Sequence, residues 1–404
     1  MNMKSATGRW VSGDDFFDRG PELKILEERV SGGNHILLTG QRRMGKTSIA
    51  RELGRRLESG GWVCFFADVE GATCPEDAIT YIAERMHHVR PISSRMKDWG
   101  DWAVKNTEEI SAREFRVKFR AKLNPGNWQR KGRQLIHDCA GHDKPVLLVL
   151  DELPIFLKRM LRDDDGPQRV EGFLSWLRGT FQELDARSPV LIVSGSIGLA
   201  PLVGRLGIPD RINYLYPFRL GPWNREVSVQ CFERLAKNHG LTVGTGVADA
   251  VYEKLGLGIP HHVQSFSARL REFVIMEDRS KVDVEDIEEV YRTGMLGPSG
   301  QNDLSHYETR LKDALEGESY TIAMEVLAEA ATQDLLTADA RRRFETWYSR
   351  KIDDAPSRIA DVLEVLAHDG YLEADEDDYR FPSRLLKDWW SARFKGHHQP
   401  FESR

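Results

Sequence analysis

Apolar runs long enough to cross a bilayer are missing from this sequence: no window approaches the roughly 18 apolar residues that a membrane-spanning helix takes. Met1 to Asp15 has no apolar segment between a basic stretch and a small-residue cleavage site, so no secretory leader is expected. A cytoplasmic chain with no membrane partner follows as the expectation. Cysteine is scarce. The four that occur, Cys64, Cys74, Cys139 and Cys231, show no C-x-x-C or C-x-x-H spacing and read as buried apolar fillers. Twelve histidines include three adjacent pairs, but none forms H-x-x-x-H beside an acid, and no zinc site is expected. A strong excess of either charge is also lacking. At a formal net charge of -6 the molecule is not drawn to nucleic acid as a whole, so any DNA contact needs a local patch.

The 404 residues allow two or three domains. Pro21 to Ser31 reads as a short amphipathic helix broken by Gly32-Gly33-Asn34. Ile36 to Thr39 suits a strand buried on both faces, and Thr47 to Leu57 suits a helix. A strand, a Gly-rich turn and a helix open a parallel α/β sheet. Apolar runs at Trp62 to Val69, Val146 to Leu150 and Val190 to Ser194 supply three more strands. Between them, residues 86 to 135 read as an insertion on the sheet's rim, with Trp99, Trp102, Trp128 and a run of Arg113, Arg116, Lys118, Arg120, Lys122, Arg130, Lys131 and Arg133. That run fits a solvated helical face with Val117 and Leu123 packed inward, or a surface for DNA or a partner.

From Pro222 to Thr293 helical patterns broken by Gly240, Gly256 and Gly258 replace strand signals, which suggests an all-α lid. Leu296 to Asn302 has the composition of a linker. Beyond it come three helical patterns, Tyr320 to Ala330, Ala338 to Ser349 and Ala355 to His368, then short strands at Tyr371-Leu-Glu and Tyr379-Arg-Phe. That is the order of a winged helix-turn-helix. The expected division is a P-loop NTPase domain over 1–218, a helical lid over 219–295 and a winged helix over 303–404. Residues 319 to 395 hold eleven basic against sixteen acidic residues, and the wing tip runs Glu373-Ala-Asp-Glu-Asp-Asp378. This balance opposes contact with a polyanion and favours a protein-facing or intramolecular role.

Gly40-Gln41-Arg42-Arg43-Met44-Gly45-Lys46-Thr47 fits G-x-x-x-x-G-K-[ST] in full, with Ser48 following on the helix. The glycines let the backbone curl so that its amides face phosphate oxygens, and the helix presents its positive end to the same charge. Lys46 is placed to neutralise the β and γ phosphates and Thr47 to ligate Mg2+. Val146 to Leu150 leads into Asp151-Glu152. A carboxylate ending a buried strand faces the ligand crevice of an open α/β sheet, which makes Asp151 the second metal residue. Glu152 is the candidate that polarises the attacking water, so hydrolysis is expected of the pair. Ser196, in Ser194-Gly195-Ser196 after the fourth strand, is a candidate γ-phosphate sensor or a plain turn residue. Arg205 and Arg211 are candidate catalytic arginines or surface residues, and Arg205 is preferred.

Together with Phe16-Phe17-Asp18-Arg19-Gly20-Pro21-Glu22 ahead of the loop, Gly258-Ile259-Pro260-His261 in the lid and the terminal winged helix, these motifs resemble the archaeal-type STAND ATPases of the AAA-like class. The resemblance spans nearly the whole chain. Phe16, Phe17, Arg19 and Glu22 match the family's opening, while Asp18 stands where it has glycine. It implies ATP as the nucleotide, with Arg19 contacting it and Gly258, Pro260 and His261 touching it from the lid, a segment that also fits a plain helix break with a proline at a first turn. It also implies a switch in which nucleotide state controls assembly with copies of the chain or with an effector, in defence or regulated DNA transactions. Since the chain stops after the winged helix, the effector is expected to be a separate protein. Two other readings remain: a DNA-loading ATPase similar to replication initiators or transposition regulators, and a non-hydrolysing, nucleotide-locked scaffold.

Overall fold

The computed structural model describes residues 8–87, 111–141, 143–184, 189–195 and 198–403. Trp99 and Trp102 of the expected insertion, and Ser196, lie outside the described residues. The chain divides into two compact units: one holds Arg19–Thr39 and Lys46–Arg219, the other the residues through Asp18, Gly40–Gly45 and everything from Leu220 onward. No described helix is long and apolar enough to cross a membrane.

The first unit is built on a parallel five-stranded sheet, β1 (Ile36–Thr39), β2 (Val63–Asp68), β3 (Val146–Asp151), β4 (Val190–Ser194) and β5 (Tyr216–Arg219), in the order β2-β3-β4-β1-β5. Parallel strands need crossover helices, and helices covering both faces demand continuous apolar runs. Thus Val146-Leu-Leu-Val-Leu150 and all of β4 are buried. Around them Leu148, Leu150, Phe156, Phe173, Phe181 and Leu191 form the centre of the core. β5 was not legible in the sequence. It is an exposed edge of four residues carrying Pro217, a position where a missing amide donor costs the sheet nothing.

The expected rim insertion contains the helices Ala112–Arg120 and Trp128–Ala140. Leu123 is buried, but Val117 is 65 % exposed, against the inward packing expected of it. Phe115 and Phe119 are the inward residues of that helix. Phe115 stacks on His87 at 4.1 Å between ring centroids.

In the second unit the helices Arg225–Asn238, Val247–Leu255, Pro260–Met276 and Val284–Val290 are joined by a two-residue parallel pair, β6 (Thr242–Val243) and β7 (Lys281–Val282). The helices Gly317–Thr332, Ala338–Tyr348 and Ala355–His368 follow, then the antiparallel hairpin β8 (Glu373–Asp375) and β9 (Asp378–Arg380). This is the winged helix-turn-helix order, closed by a further helix, Arg384–Phe394. The segment 296–302 is not a linker. Pro298 opens a 17-residue helix, Pro298–Ala314, because a proline at the first helical position supplies a helical φ and has no amide to waste.

After the last helix the chain turns back on this domain. Phe401 stacks on Phe344 with centroids 4.1 Å apart, its amide donates to both carboxylate oxygens of Glu329 at 3.1 and 3.2 Å, and His398 meets the same carboxylate. Glu329 is 1 % exposed, so its neighbours would lose their acceptor where water cannot replace it. Glu329→Ala is expected to destabilise the chain by about 2–3 kcal/mol, read as a fall in the denaturant midpoint. A midpoint unchanged from wild type would show the tail to be incidental to stability.

Candidate functional site

Between β1 and the helix Lys46–Ser59 the loop takes positive φ at Gly40 (141°), Arg43 (67°) and Gly45 (90°). Such alternation turns successive amides toward one concavity. At Gly40 a side chain is excluded twice, by its φ and because a β-carbon would lie 2.4 Å from the carbonyl oxygen of Leu220. Lys46 and Thr47 begin the helix, and Lys46 is buried. Ser48 is half-buried on the same first turn.

The hydroxyl of Thr47 donates to Asp151 Oδ2 at 2.7 Å, joining residues 104 positions apart. Asp151 Oδ1 accepts from the Glu152 amide at 3.1 Å and from the Ser194 hydroxyl. A hydroxyl beside a carboxylate is a hard-oxygen donor set of the kind Mg2+ takes. Among the described residues no group of three or more His, Cys, Asp or Glu side chains could hold a metal.

Glu152 sits at φ 58° as the residue preceding the helix Leu153–Met160. Its carboxylate lies against Gly195, where a β-carbon would stand 3.6 Å from Glu152 Oε2 and 2.5 Å from Pro154. Any larger residue at 195 would displace the turn that aims the acid. Among the described residues the hydroxyl at the end of β4 is that of Ser194, which donates to Asp151. Asp68, the last residue of β2, lies in register with Asp151. Its side chain is exposed at the strand end, and its carboxyl is pushed up by partial desolvation and by the nearby Asp151 charge, against the lowering effect of the Glu70 amide. Arg51 lies over the Phe66 ring at 4.1 Å and has Asp151 and Asp68 among its counter-charges. Sequence reading missed both Arg51 and Asp68, although Asp68 carries the signal that singled out Asp151, an acid ending an apolar strand.

Arg211 is tied to Glu171 and Asp210, each at 2.8 Å. Arg205 is exposed at the end of the helix Leu199–Arg205. Arg19 is buried, φ 70°, and pairs with Glu22 at 2.8 Å. Its neighbour Asp18 is at φ 59°, so the position where the resembled family has glycine does take a left-handed conformation, which Asp tolerates better than most residues.

In the second unit the loop apex lies among lid and C-terminal residues. Arg43 approaches Asp303 at 4.0 Å, and Asp303 also accepts from Ser265 and Arg269, each at 3.3 Å. Pro260 begins the lid helix, followed by His261 and His262. Burial, reinforced by Arg43 and Arg42, pushes His261 down to about 3, so this ring is neutral at physiological pH. His262 lies well below its ordinary value for the same first cause, with His261 and Arg43 adding to it, and meets the Tyr307 hydroxyl at 3.3 Å. Tyr371, just after the Ala355–His368 helix, donates to the Tyr307 carbonyl at 2.7 Å. Gly258 is packed, not open: a β-carbon there would be 2.2 Å from the Trp223 carbonyl oxygen. Asp303, Tyr307 and Tyr371 carry no local motif that marks them.

Much of the basic run is internally compensated. Arg116 pairs with Glu84 at 2.7 Å, Arg120 with Asp77 at 2.6 Å, Lys118 with Glu114 at 2.6 Å and Arg133 with Glu183 at 2.8 Å. In the winged helix Arg341 pairs with Glu345, Arg342 and Arg343 with Asp339, Arg358 with Asp354, and Arg380 with Glu373 and Asp375 of the wing.

No family model and no curated protein matches this chain. Among solved structures it is similar to a Walker-type ATPase of Pyrococcus abyssi, with 17% identity, a TM-score of 0.61, and coverage of 94% of this chain and 97% of that one. It is also similar to the ORC2 protein of Aeropyrum pernix in ADPNP-ADP complexes, with 14% identity, a TM-score of 0.56, and coverage of 95% and 98%. These likenesses concern the fold. The chain has the α/β fold of AAA-like P-loop NTPases: a parallel sheet followed by a lid and a winged helix-turn-helix. The lid, expected to be all-α, carries the short pair β6 and β7 between its helices.

Proposed function

We propose that this chain binds ATP with Mg2+, hydrolyses it, and uses the nucleotide state as a switch for assembly. The observation that carries the reading is the contact of Thr47 with Asp151 at 2.7 Å, which joins the two halves of the motif with Glu152 next in the chain. In this reading Gly40, Gln41, Arg42, Arg43, Met44 and Gly45 wrap the phosphates, and Lys46 and the Thr47–Ser48 turn hold them. Mg2+, when bound, would supply positive charge against the β and γ phosphates. Thr47 would ligate it and Asp151 would orient one of its waters. Glu152 would accept the proton of the attacking water as that water's oxygen bonds to the γ phosphorus, the bond from the γ phosphorus to the β–γ bridging oxygen breaks and ADP leaves. The solved Aeropyrum pernix protein, captured with ADPNP and ADP, supports an adenine nucleotide. Arg19, Ser196, Pro260 and His261 are proposed nucleotide contacts, and Arg205 is the candidate arginine acting on a neighbour's nucleotide.

The switch rests on the loop apex. Arg43, through Asp303, and Gln41, beside Gly370, touch the segments that follow the lid, so a change in the loop on hydrolysis would be felt there. We assign 1–218 to the NTPase domain, 219–295 to the lid and 303–404 to the winged helix. Its partners would be copies of the chain or a separate effector protein in the cytoplasm. Charge pairing within the winged helix argues for protein partners over DNA, and a DNA-loading role would have to use the basic run near the sheet. Phosphate release from ATP that EDTA abolishes is the expected result, with specific activity rising with protein concentration if Arg205 acts between copies. No release from any nucleoside triphosphate would leave only the nucleotide-locked scaffold.

A further inference from the structure

Parallel strands in register place paired residues side by side on one face of the sheet, with backbones about 4.8 Å apart. Asp68 and Asp151 are such a pair, and the amide of Val69 donates to the Asp151 carbonyl at 3.0 Å, which fixes the two strand ends together. Two like charges at that spacing oppose each other, and a nearby cation relieves the opposition. The roles of the two acids differ in their hydrogen bonds. Asp151 has both oxygens engaged by Thr47, Ser194 and the Glu152 amide. Asp68 uses Oδ1 to accept the Glu70 amide at 2.8 Å, and its side chain is exposed, which leaves Oδ2 open to water. One turn beyond Thr47 on the same helix face, Arg51 is held over Phe66 and supplies partial counter-charge to the pair.

We propose that Asp68 is a positioning residue for the metal, accepting a hydrogen bond from a water of the Mg2+ shell beside the one that Asp151 orients, while Thr47 ligates the ion. Outer-shell acceptors of this kind orient bound water, and their loss is expressed as weaker metal affinity. The inference rests on the Mg2+-ATP reading given above, and it adds a residue outside the two sequence motifs.

The test is a titration of Mg2+ against a fluorescent ATP analogue with the full chain, alongside nucleotide affinity in EDTA and thermal unfolding. In Asp68→Asn the Mg2+ concentration for half-maximal enhancement is expected to rise about tenfold. Affinity in EDTA and the unfolding temperature should stay at wild-type values. Asp68→Ser should show the same shift, and Asp68→Glu should recover part of it. A Mg2+ midpoint unchanged in Asp68→Asn and Asp68→Ser overturns the role of Asp68 and leaves the ATPase reading standing. Wild-type nucleotide affinity that ignores Mg2+ overturns both.

Discussion

Lys46→Ala is expected to abolish ATP binding, whereas Glu152→Gln is expected to keep ATP and Mg2+ and to hydrolyse at least about a hundredfold more slowly. The contrast follows from what each side chain can do. Lys46 is a buried cation at the first position of a 14-residue helix, so its removal strips charge from the place where phosphate would bring three or four negative oxygens. Glu152 makes none of the contacts assigned to phosphate. It stands one residue past Asp151, in a left-handed turn packed on Pro154 and Gly195. Glutamine has the same shape and cannot accept the proton, so the turn should persist while the step that breaks the bond slows. Single-turnover phosphate release and equilibrium nucleotide binding on both variants check this. Wild-type turnover in Glu152→Gln would remove it from the hydrolytic step and pass the role to another base. Wild-type affinity in Lys46→Ala would remove the phosphate loop itself.

What the sequence made legible has a physical pattern. Contiguous signals were readable: β1, β3 and β4 are uninterrupted apolar runs, and the loop Gly40 to Thr47 is a local motif whose glycines have φ values only glycine takes easily. Signals that depend on context were not. β5 carries Pro217 at an exposed edge, so it shows neither alternation nor an apolar run. Pro298 and Gly300 gave 296–302 the composition of a linker, yet proline at a first turn starts a helix as readily as it ends one. On the helix Ala112–Arg120, Val117 faces water because Phe115 and Phe119, four residues apart, take the buried stripe. At the candidate site the same division holds. Thr47 and Asp151 sit in recognisable strings, whereas Asp303, Tyr307 and Tyr371 acquire their neighbours only through folding.

Gly370→Val is expected to weaken ATP binding on the order of tenfold to a hundredfold, although residue 370 lies far along the chain from the phosphate loop. Gly370 ends the helix Ala355–His368 at φ 78°, and the Tyr371 amide returns to the Leu366 carbonyl at 2.8 Å, a left-handed helix stop that glycine adopts without strain. A β-carbon there would lie 2.8 Å from Gln41 Cδ and 3.0 Å from Gln41 Cβ. Two costs therefore combine: about 1–2 kcal/mol for the left-handed conformation of a branched residue, and a displacement of Gln41 in the loop. Gly240→Val separates them. Its φ is 70° and nothing lies within 4 Å of a β-carbon, so it carries the conformational cost alone. Both variants should unfold at lower temperature than wild type by similar amounts, and only Gly370→Val should lose ATP affinity. Equal affinities in the two variants would show that the loop tolerates movement of Gln41. In that case the C-terminal segment has no hold on nucleotide through this contact, and the coupling would rest on Arg43 and Asp303.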